Sequence, residues 1–331
     1  MDLRRTTYAC GACDTSCASG DICLDGGCVP PSALRIVDAP VRDFVVNGGF
    51  VYFLNASDGT VNRVPAGGGA ITPLATFEEG LDSLDIDATN LVWTSTVSGT
   101  CYVKVMPKTG GTVTVIASGT GIPNRCDVVT DGMNAYFIVN YRILAAPLAG
   151  GATTEVYASP IVLLDGAFEW RASLSDLVQN TTSLFFYAAG IDTPGMDLSW
   201  PKPVTPSPLP FFRGGHRKAA TDTDSVQIQS TIYSPGALEH HSIAGPTMYP
   251  SLLWPGSDII GHVAVSNPVI DGQDIFFVGT RGIERMPFCG ARSPEVIVPS
   301  ISGTLAVDSG HVYWSPGAGI YRAPKGTPLS P

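Results

Sequence analysis

Two landmarks recur in the same order along the chain, and this repetition restricts the possible folds more than any other feature of the sequence. The first landmark is a polar turn followed by an apolar, often aromatic triplet, as in Asn47-Gly48-Gly49-Phe50 before Val51-Tyr52-Phe53. The second is an apolar-Pro step, usually followed by a Gly turn, as in Arg63-Val64-Pro65-Ala66-Gly67. The triplets of the seven units are Val51–Phe53, Leu91–Trp93, Ala135–Phe137, Leu184–Phe186, Val226–Ile228, Ile275–Phe277 and Val312–Trp314.

The spacing of the landmarks identifies each unit as one blade of a β-propeller. Six of the seven units carry both landmarks. The units recur about every 37 to 54 residues, which is the length of a four-stranded blade. A β-sandwich gives no reason for two landmarks to recur in phase. We therefore predict an all-β fold, a seven-bladed β-propeller of four-stranded antiparallel blades. In the fifth unit His241-Ser242-Ile243 replaces the Pro step, and the sequence leaves open whether this unit is a complete blade.

The two ends of the repeat array predict how the ring closes. The last unit has strands at Gly303–Val307, Val312–Ser315 and Gly319–Ala323 but no outer strand, whereas Leu34–Val37 precedes the first blade. Pairing Leu34–Val37 with Gly319–Ala323 would complete the last blade and remove exposed strand edges. The expected organisation is a leader over residues 1–33 and a propeller over residues 34–331.

Composition excludes several classes of function. The chain has 37 Gly, 27 Pro and only 15% charged residues, a balance typical of turn-rich β proteins. A formal net charge of −10 without a stripe of Lys and Arg argues against nucleic acid as a partner. No apolar run approaches the roughly 18 residues that a membrane helix needs, so the chain is not expected to span a membrane.

The leader is rich in cysteine and predicts an oxidising compartment. Five cysteines fall within 19 residues, among Gly, Ser, Asp and Ala that cannot form a core of their own. They are Cys10, Cys13, Cys17, Cys23 and Cys28. Zinc is the alternative, because Cys10-x-x-Cys13 has ligand-like spacing, but no second such pair follows and no histidine precedes His216. We expect disulfides, no metal, and a secreted, periplasmic or cell-surface location, although Met1–Arg5 is not followed by the apolar segment of a signal peptide.

The three remaining cysteines lead to two disulfide predictions. Cys101 and Cys126 open strands near the top face of neighbouring blades, so we expect them to be bonded. Cys289 is then expected to bridge to one of the five leader cysteines, because the leader should emerge beside the sixth blade. The alternative is a free Cys289 with a spare thiol in the leader.

The chain resembles bacterial secreted propeller proteins and, more distantly, the YWTD-type propellers of lipoprotein receptors. The resemblance covers roughly residues 34–326 and rests on three segments, Val51–Asn55, Leu91–Ser95 and Val312–Ser315, with the following Arg-Val-Pro type step. The Trp-Asp dipeptide of the receptor family is absent. The resemblance implies an architecture and no particular activity or cofactor.

Four aspartates precede the triplets, and we interpret them as turn residues rather than as calcium or acid–base groups. They are Asp87, Asp131, Asp271 and Asp308. Asp and Asn are favoured in tight turns because their side chains accept local backbone hydrogen bonds. One such residue per blade would also keep these carboxylates far apart around a ring.

Lengthened units indicate where a ligand would bind. In a propeller blade, two connections open on the same face, here called the top face: the loop between the second and third strands, and the crossing to the next blade. The extended segments of this chain all fall in these connections, at residues 160–173, 190–197, 214–221 and 254–261. The candidate ligand-binding residues are Asp165, Glu169, Trp170, Arg171, Asp192, His216, Arg217 and His262. Aromatic faces beside charged groups suit a carbohydrate or peptide ligand, and the alternative is a set of solvated loops around one buried Trp.

No catalytic residue can be assigned from the sequence. Glu239-His240-His241 resembles a metal motif, but adjacent histidines on a strand point to opposite faces. The first hypothesis is a non-catalytic secreted or surface binding module without a cofactor. The second is a lyase or hydrolase acting on a polysaccharide or peptide, using His216 or His262 with Asp192, Asp258 or Glu169. A purely structural surface domain is the third.

Overall fold

The computed structural model describes most of the repeat array and parts of the leader. The described residues are 22–24, 27–29, 33–121, 126–159, 162–164, 168–170, 173–179, 183–189, 196–202, 212–213, 218–220, 224–231, 234–242, 251–254, 266–271, 274–279, 281–287, 294–299 and 301–326. Within these ranges the regular elements are β-strands, and no helix that could cross a membrane is found.

The strands of the described residues form two hairpins and seven four-stranded antiparallel sheets, numbered here in chain order. The leader hairpin joins β1 (Ile22–Leu24) and β2 (Gly27–Val29), and β3 is Leu34–Val37. Sheet 1 contains β4 (Asp43–Asn47), β5 (Phe50–Asn55), β6 (Thr60–Pro65) and β7 (Thr72–Ala75). Sheet 2 contains β8 (Leu81–Ile86), β9 (Asn90–Val97), β10 (Thr100–Pro107) and β11 (Thr114–Thr120). Sheet 3 contains β12 (Val128–Thr130), β13 (Asn134–Val139), β14 (Arg142–Pro147) and β15 (Thr154–Ala158).

The second half of the chain repeats the same arrangement. A hairpin of β16 (Val162–Leu164) and β17 (Phe168–Trp170) precedes sheet 4, which contains β18 (Ser173–Gln179), β19 (Ser183–Ala189), β20 (Met196–Pro201) and β21 (Phe212–Arg213). Sheet 5 contains β22 (Lys218–Ala220), β23 (Asp224–Thr231), β24 (Ser234–Ser242) and β25 (Ser251–Trp254). Sheet 6 contains β26 (Ser266–Asp271), β27 (Asp274–Gly279), β28 (Gly282–Pro287) and β29 (Glu295–Pro299). Sheet 7 contains β30 (Thr304–Val307), β31 (His311–Ser315), β32 (Ile320–Pro324) and β3.

The degenerate fifth unit therefore forms a four-stranded sheet like the others. Its third strand, β24, has no proline at its end. His241 and Ser242 stand where the third strands of the other sheets end in proline. Proline at the end of a third strand is thus compatible with the repeat but is not required to build it.

The apolar triplets lie in the second strand of each sheet, and those whose side chains the structure describes are buried on both faces. In β5, Val51, Tyr52, Phe53 and Leu54 are all buried. A strand reads as a continuous apolar run when elements cover both faces of its sheet. The apolar clusters span neighbouring sheets accordingly, and one of them joins Tyr313 of sheet 7 to residues of sheet 1.

The N-terminal strand β3 pairs with the C-terminal strand β32, as the missing outer strand predicts. The register places Leu34 opposite Arg322 and Val37 opposite Ile320. The innermost strands of successive sheets contact one another, and the contacting pairs are β4 with β8, β8 with β12, β12 with β18, β18 with β22, β22 with β26, β26 with β30, and β30 with β4.

The turn interpretation of the repeated aspartates is confirmed at three of the four positions. Oδ1 of Asp87, Asp131 and Asp308 accepts two backbone N–H groups each, from residues two and three positions further along the chain. Asp271 instead accepts a hydrogen bond from the Lys325 ammonium group. The carboxylates of Asp87, Asp131 and Asp308 thus stabilise turns at the end of the molecule opposite the top face.

The disulfide between Cys101 and Cys126 is present, with a Cα–Cα distance of 6.3 Å. Cys23 is also disulfide-bonded. Strand β2 of the leader contacts β29 of sheet 6, where the sequence places the leader. Cys289, Cys10, Cys13 and Cys17 lie outside the described residues, so the bridge from Cys289 to the leader stays a prediction.

Candidate functional site

A cavity of about 370 Å³, called here the central cavity, is lined by residues of the innermost strands. Its lining comes from six of the seven sheets, through β4, β8, β12, β18, β26 and β30 and the residues next to them. Four carboxylates lie on this lining, those of Asp43, Asp85, Asp127 and Asp176. The volume is within the range of small-molecule pockets, which is about 300–1,000 Å³.

Each carboxylate belongs to an inner strand or to the residue just before one. Asp43 is the first residue of β4, Asp127 immediately precedes β12, and Asp176 lies in β18 at an irregularity of the register where its φ is +56°. Asp85 lies deeper, near the end of β8. The inner strands run from the top face toward the opposite end, so three of these carboxylates lie near the top opening and Asp85 lies below them.

The carboxylates also join neighbouring sheets. Three of the four, Asp43, Asp85 and Asp127, and also the nearby Asp82, accept a backbone N–H from the inner strand of the next sheet or from the residues beside that strand. The pairs, from N to Oδ2, are Leu84 to Asp43 at 3.0 Å, Cys126 to Asp82 at 2.7 Å, Thr130 to Asp85 at 2.7 Å, and Asp176 to Asp127 at 3.0 Å. Inner strands of different sheets form no ladder with one another, so these side chains provide hydrogen bonds that the backbone alone does not.

Asp82 carries a second interaction at the top opening. Its Oδ1 accepts a hydrogen bond from the Arg42 guanidinium group at 2.7 Å, while its Oδ2 holds the N–H of Cys126. The Asp82 side chain is buried and Arg42 is exposed. The disulfide between Cys101 and Cys126 holds the same point of the interface between sheets 2 and 3.

The pKa of the Asp85 carboxyl group lies near neutrality. Burial, together with the nearby carboxylates of Asp43 and Asp87, raises the pKa of Asp85 to about 7. The rise occurs even though the N–H groups of Thr130 and Ile86 stabilise the charged form. A carboxyl group of this pKa changes its protonation state near neutral pH, and this one lies at the contact between sheets 2 and 3.

The geometry limits what the described part of the cavity can do. Within the described ranges, no group of three or more His, Cys, Asp or Glu side chains is arranged to hold a metal ion. The carboxylates are held by backbone donors in fixed positions. This arrangement can bind a small polar ligand and joins the inner strands of neighbouring sheets.

A second depression, of about 610 Å³, lies between sheets 2 and 3 at the end opposite the top face. Its lining is mainly apolar and includes Met106, Pro107, Met133 and Leu148. Polar side chains converge on the central cavity and not on this depression, so the central cavity is the stronger candidate for a specific site.

Most residues of the predicted ligand site lie outside the described residues. These are Asp165, Arg171, Asp192, His216, Arg217 and His262. Glu169 and Trp170 belong to β17, whose backbone alone is described. The predicted site on the extended loops is therefore neither confirmed nor corrected.

Sequence reasoning missed the carboxylates of the central cavity. It considered the aspartates before the triplets and not those that begin the inner strands. A signal was present, because Asp43-Phe44-Val45, Asp127-Val128-Val129 and Asp176-Leu177-Val178 recur in phase with the repeat. An Asp at the same position before the inner strand of several blades is therefore a sequence signal for carboxylates that line the central cavity.

Comparison with known proteins identifies the architecture. No protein-family model matches the chain and no curated protein is similar to it. Among solved structures, the β-propeller domain of Cps50 (Swd1) from Myceliophteria thermophila has a TM-score of 0.62 at 10% identity, covering 88% of this chain and 98% of that one. The β-propeller domain of the Trilobed protease from Pyrococcus furiosus has a TM-score of 0.54 at 11% identity, covering 83% and 90%.

The chain is a β-propeller. A third similar structure, the GH74 enzyme of Niastella koreensis, has a TM-score of 0.62 at 12% identity and covers 88% of this propeller and 53% of that enzyme. At such identities the likeness establishes the fold alone, and propellers with this fold include both enzymes and non-catalytic proteins.

Proposed function

We propose that this propeller is a closed seven-bladed ring that acts outside the cytoplasm as a non-catalytic binding module. Its ligand site would lie on the top face near the third to sixth blades. One observation carries the proposal. Three carboxylates of the central cavity, those of Asp43, Asp85 and Asp127, accept backbone N–H groups from the next sheet, which suits a scaffold with a ligand opening better than an acid–base centre.

Three contacts support a closed ring. Strand β3 pairs with β32, and β30 contacts β4. The N–H of Val41 also donates to the carbonyl of Gly317 at 2.7 Å, joining the start of sheet 1 to the turn between β31 and β32. Ring closure removes the two exposed edges that an open array would present.

The disulfide between Cys101 and Cys126 supports an extracytoplasmic location. It lies within the repeat array, where both cysteines are buried, and stable structural disulfides are rare in reducing compartments. The propeller would then function as a secreted, periplasmic or cell-surface protein.

The ligand site would use the loops that lengthen the middle units. The residues proposed for it are Asp165, Glu169, Trp170, Arg171, Asp192, His216, Arg217 and His262. Their mixture of an aromatic ring, carboxylates and cations suits a carbohydrate or a peptide. These loops would border the top opening of the central cavity, where Asp43 and Asp127 lie.

The raised pKa of Asp85 favours a second candidate function, a polysaccharide or peptide lyase or hydrolase. A carboxyl group that titrates near pH 7 is a common feature of active sites. This function would require His216 or His262 to reach the same opening as an acid–base partner.

Parallel glycan-array and peptide-array binding distinguishes the two functions. We expect the full chain to bind one ligand class, Trp170→Ala to lose that binding, and Val115→Ser to retain it. Val115 is exposed on the outer strand β11 and serves as the matched control. Loss of a ligand over time, with release of shortened or unsaturated products that Asp85→Asn abolishes, would contradict the binding module and support the enzyme.

A further inference from the structure

Phe77 is an exposed aromatic side chain on the top face, in the crossing from sheet 1 to sheet 2. Its side chain is 95% exposed, the highest value among the large apolar residues that the structure describes as exposed. It therefore contributes almost no apolar burial to the fold. Single exposed apolar side chains are common on protein surfaces, so the exposure of Phe77 points to a binding role only together with its backbone conformation.

The backbone of Phe77 is unfavourable for this residue type. Its φ is +63°, in the left-handed region that Gly adopts freely and Asn and Asp adopt more readily than bulky side chains. An aromatic residue at this position therefore has a conformational cost that no burial of its ring offsets. Residues held in such conformations concentrate at binding sites, where the surrounding structure maintains them.

The loop around Phe77 is held firmly on both sides. The N–H of Glu78 donates to the carbonyl of Gly59 at 2.9 Å, and the N–H of Thr96 donates to the carbonyl of Gly80 at 2.8 Å. At Gly80 a Cβ would lie 2.0 Å from the carbonyl oxygen of Thr96, so the close approach requires glycine. These hydrogen bonds connect the crossing to the turn between β5 and β6 in sheet 1 and to β9 in sheet 2.

The side chain of Glu78 adds a third anchor. Its Oε2 accepts a hydrogen bond from the Lys104 ammonium group at 2.5 Å and one from the indole Nε1 of Trp93 at 3.4 Å. Trp93 is fully buried, and the Lys104 side chain is largely buried. The loop that carries Phe77 is therefore tied to the core of sheet 2, and the phenyl ring projects from a preorganised base.

The exposed charges that the loop contacts place near Phe77 include two carboxylates. Glu79 is exposed, and Asp58, which precedes the Gly59 that binds this loop, is exposed as well. Glu78 is already paired with Lys104. A partner that covers Phe77 would thus gain from cationic side chains around an apolar contact.

We propose that Phe77 is the anchor of a second interaction surface, which binds a basic peptide segment of a protein partner through one of its aliphatic or aromatic side chains. This surface lies between sheets 1 and 2 and is separate from the loops of the third to sixth blades. Aromatic side chains that lose contact with water on binding are common interface anchors, and complementary charges around them favour the correct partner.

The test exploits the opposite effects of one substitution on binding and on stability. Phe77→Gly removes the ring and suits the positive φ, so it should raise the melting temperature by about 1–3 °C while removing the binding surface. Met133→Ser is the matched control, because Met133 is 76% exposed in a turn at the opposite end of the propeller. A phage-displayed library of random dodecapeptides is selected on the immobilised full chain, and enriched peptides are synthesised and titrated.

We expect the enriched peptides to combine Lys or Arg with an aliphatic or aromatic residue. Their affinity should fall about tenfold or more in Phe77→Gly, stay unchanged in Met133→Ser, and fall several-fold in Glu79→Gln and at high salt. A selection that yields no peptide, or peptides that bind Phe77→Gly as well as the unaltered chain, would overturn the proposal. Glycan binding that depends on Phe77, without peptide binding, would overturn it too, because the partner class would be wrong.

Discussion

The carboxylate of Asp85 accepts a hydrogen bond of 2.7 Å from the backbone N–H of Thr130, so a side chain of one sheet holds the inner strand of the next. The same contact recurs between Asp43 and Leu84 at 3.0 Å. Buried backbone N–H groups require acceptors, and the inner strands of neighbouring sheets do not pair. The Asp85 contact differs because burial and two neighbouring carboxylates raise its pKa to about 7.

Replacing Asp85 should change how stability depends on pH. The pKa of Asp85 is higher in the folded state than its value of about 3.9 in an unfolded chain, so its contribution is full below pH 4 and is lost as pH rises through 7. Asp85→Asn keeps an acceptor for Thr130 but cannot ionise. We expect the variant to gain stability relative to the unaltered chain between pH 5 and pH 8, by on the order of 2 kcal/mol.

Urea unfolding of both proteins at several pH values measures this difference. Asp58→Asn, at an exposed turn, is the control and should follow the unaltered chain. Parallel pH profiles for Asp85→Asn and the unaltered chain would show that Asp85 does not titrate in this window.

The hydrogen bond between Tyr313 and Asp308 should stabilise the fold at neutral pH and lose its effect at acidic pH. Burial alone would raise the pKa of Asp308, but hydrogen bonds from the Tyr313 hydroxyl and from the N–H groups of Gly310 and His311 lower it. A lowered pKa contributes stability above the unfolded value near 4, and this contribution is lost as pH falls through the folded value. Tyr313→Phe should therefore cost about 1–2 kcal/mol at pH 7 and less at pH 3.

The measurement for Tyr313→Phe is again the free energy of unfolding, at pH 7 and pH 3. Tyr52→Phe is a suitable control, since Tyr52 occupies the equivalent position in sheet 1. A cost that is equal at both pH values would mean that the hydroxyl stabilises the fold without involving the charge of Asp308.

Removing the disulfide between Cys101 and Cys126 should destabilise the propeller. The bridge spans 25 residues and joins sheet 2 to the start of sheet 3. Cross-linking a loop of this size is worth about 3 kcal/mol in the chain-entropy estimate. The double variant Cys101→Ala, Cys126→Ala should lose about that amount in chemical denaturation, and unchanged stability would show that the bridge constrains little.

Two residues of β3 with side chains of the same size test how much this strand contributes to the stability of the fold. Ile36 is buried against sheet 1, whereas Leu34 is 43% exposed. Truncating a buried Ile to Ala costs about 2–5 kcal/mol, and truncating an exposed Leu costs far less. Ile36→Ala should therefore be much less stable than Leu34→Ala in thermal and urea unfolding. Similar stabilities would indicate that the pairing of β3 with β32 is marginal in solution.

Much of the fold was predictable because propeller blades repeat the same local solution. The triplets at Val51–Phe53 and Val312–Trp314 became buried second strands, and Leu34–Val37 joined the last sheet as expected. The bonded pair Cys101 and Cys126 was also foreseen, because strand order places the two residues at neighbouring positions.

The candidate site was less predictable. The sequence showed that Asp43, Asp85 and Asp127 exist, but their convergence on one cavity depends on the angle between successive sheets. The role of Phe77 was equally hidden, since a Phe after an outer strand reads as an ordinary apolar residue until its exposure and its φ of +63° are known.

The sequence by itself thus determined the repeating unit, the order of strands within each sheet and the turns that join them. These properties follow from local rules of side-chain alternation, turn chemistry and the burial of aromatic triplets. Only the tertiary structure decided which carboxylates face one another, which pKa is raised and which aromatic ring is left in water. Those properties depend on distances and dielectric surroundings between residues far apart in the chain, and no local pattern encodes them.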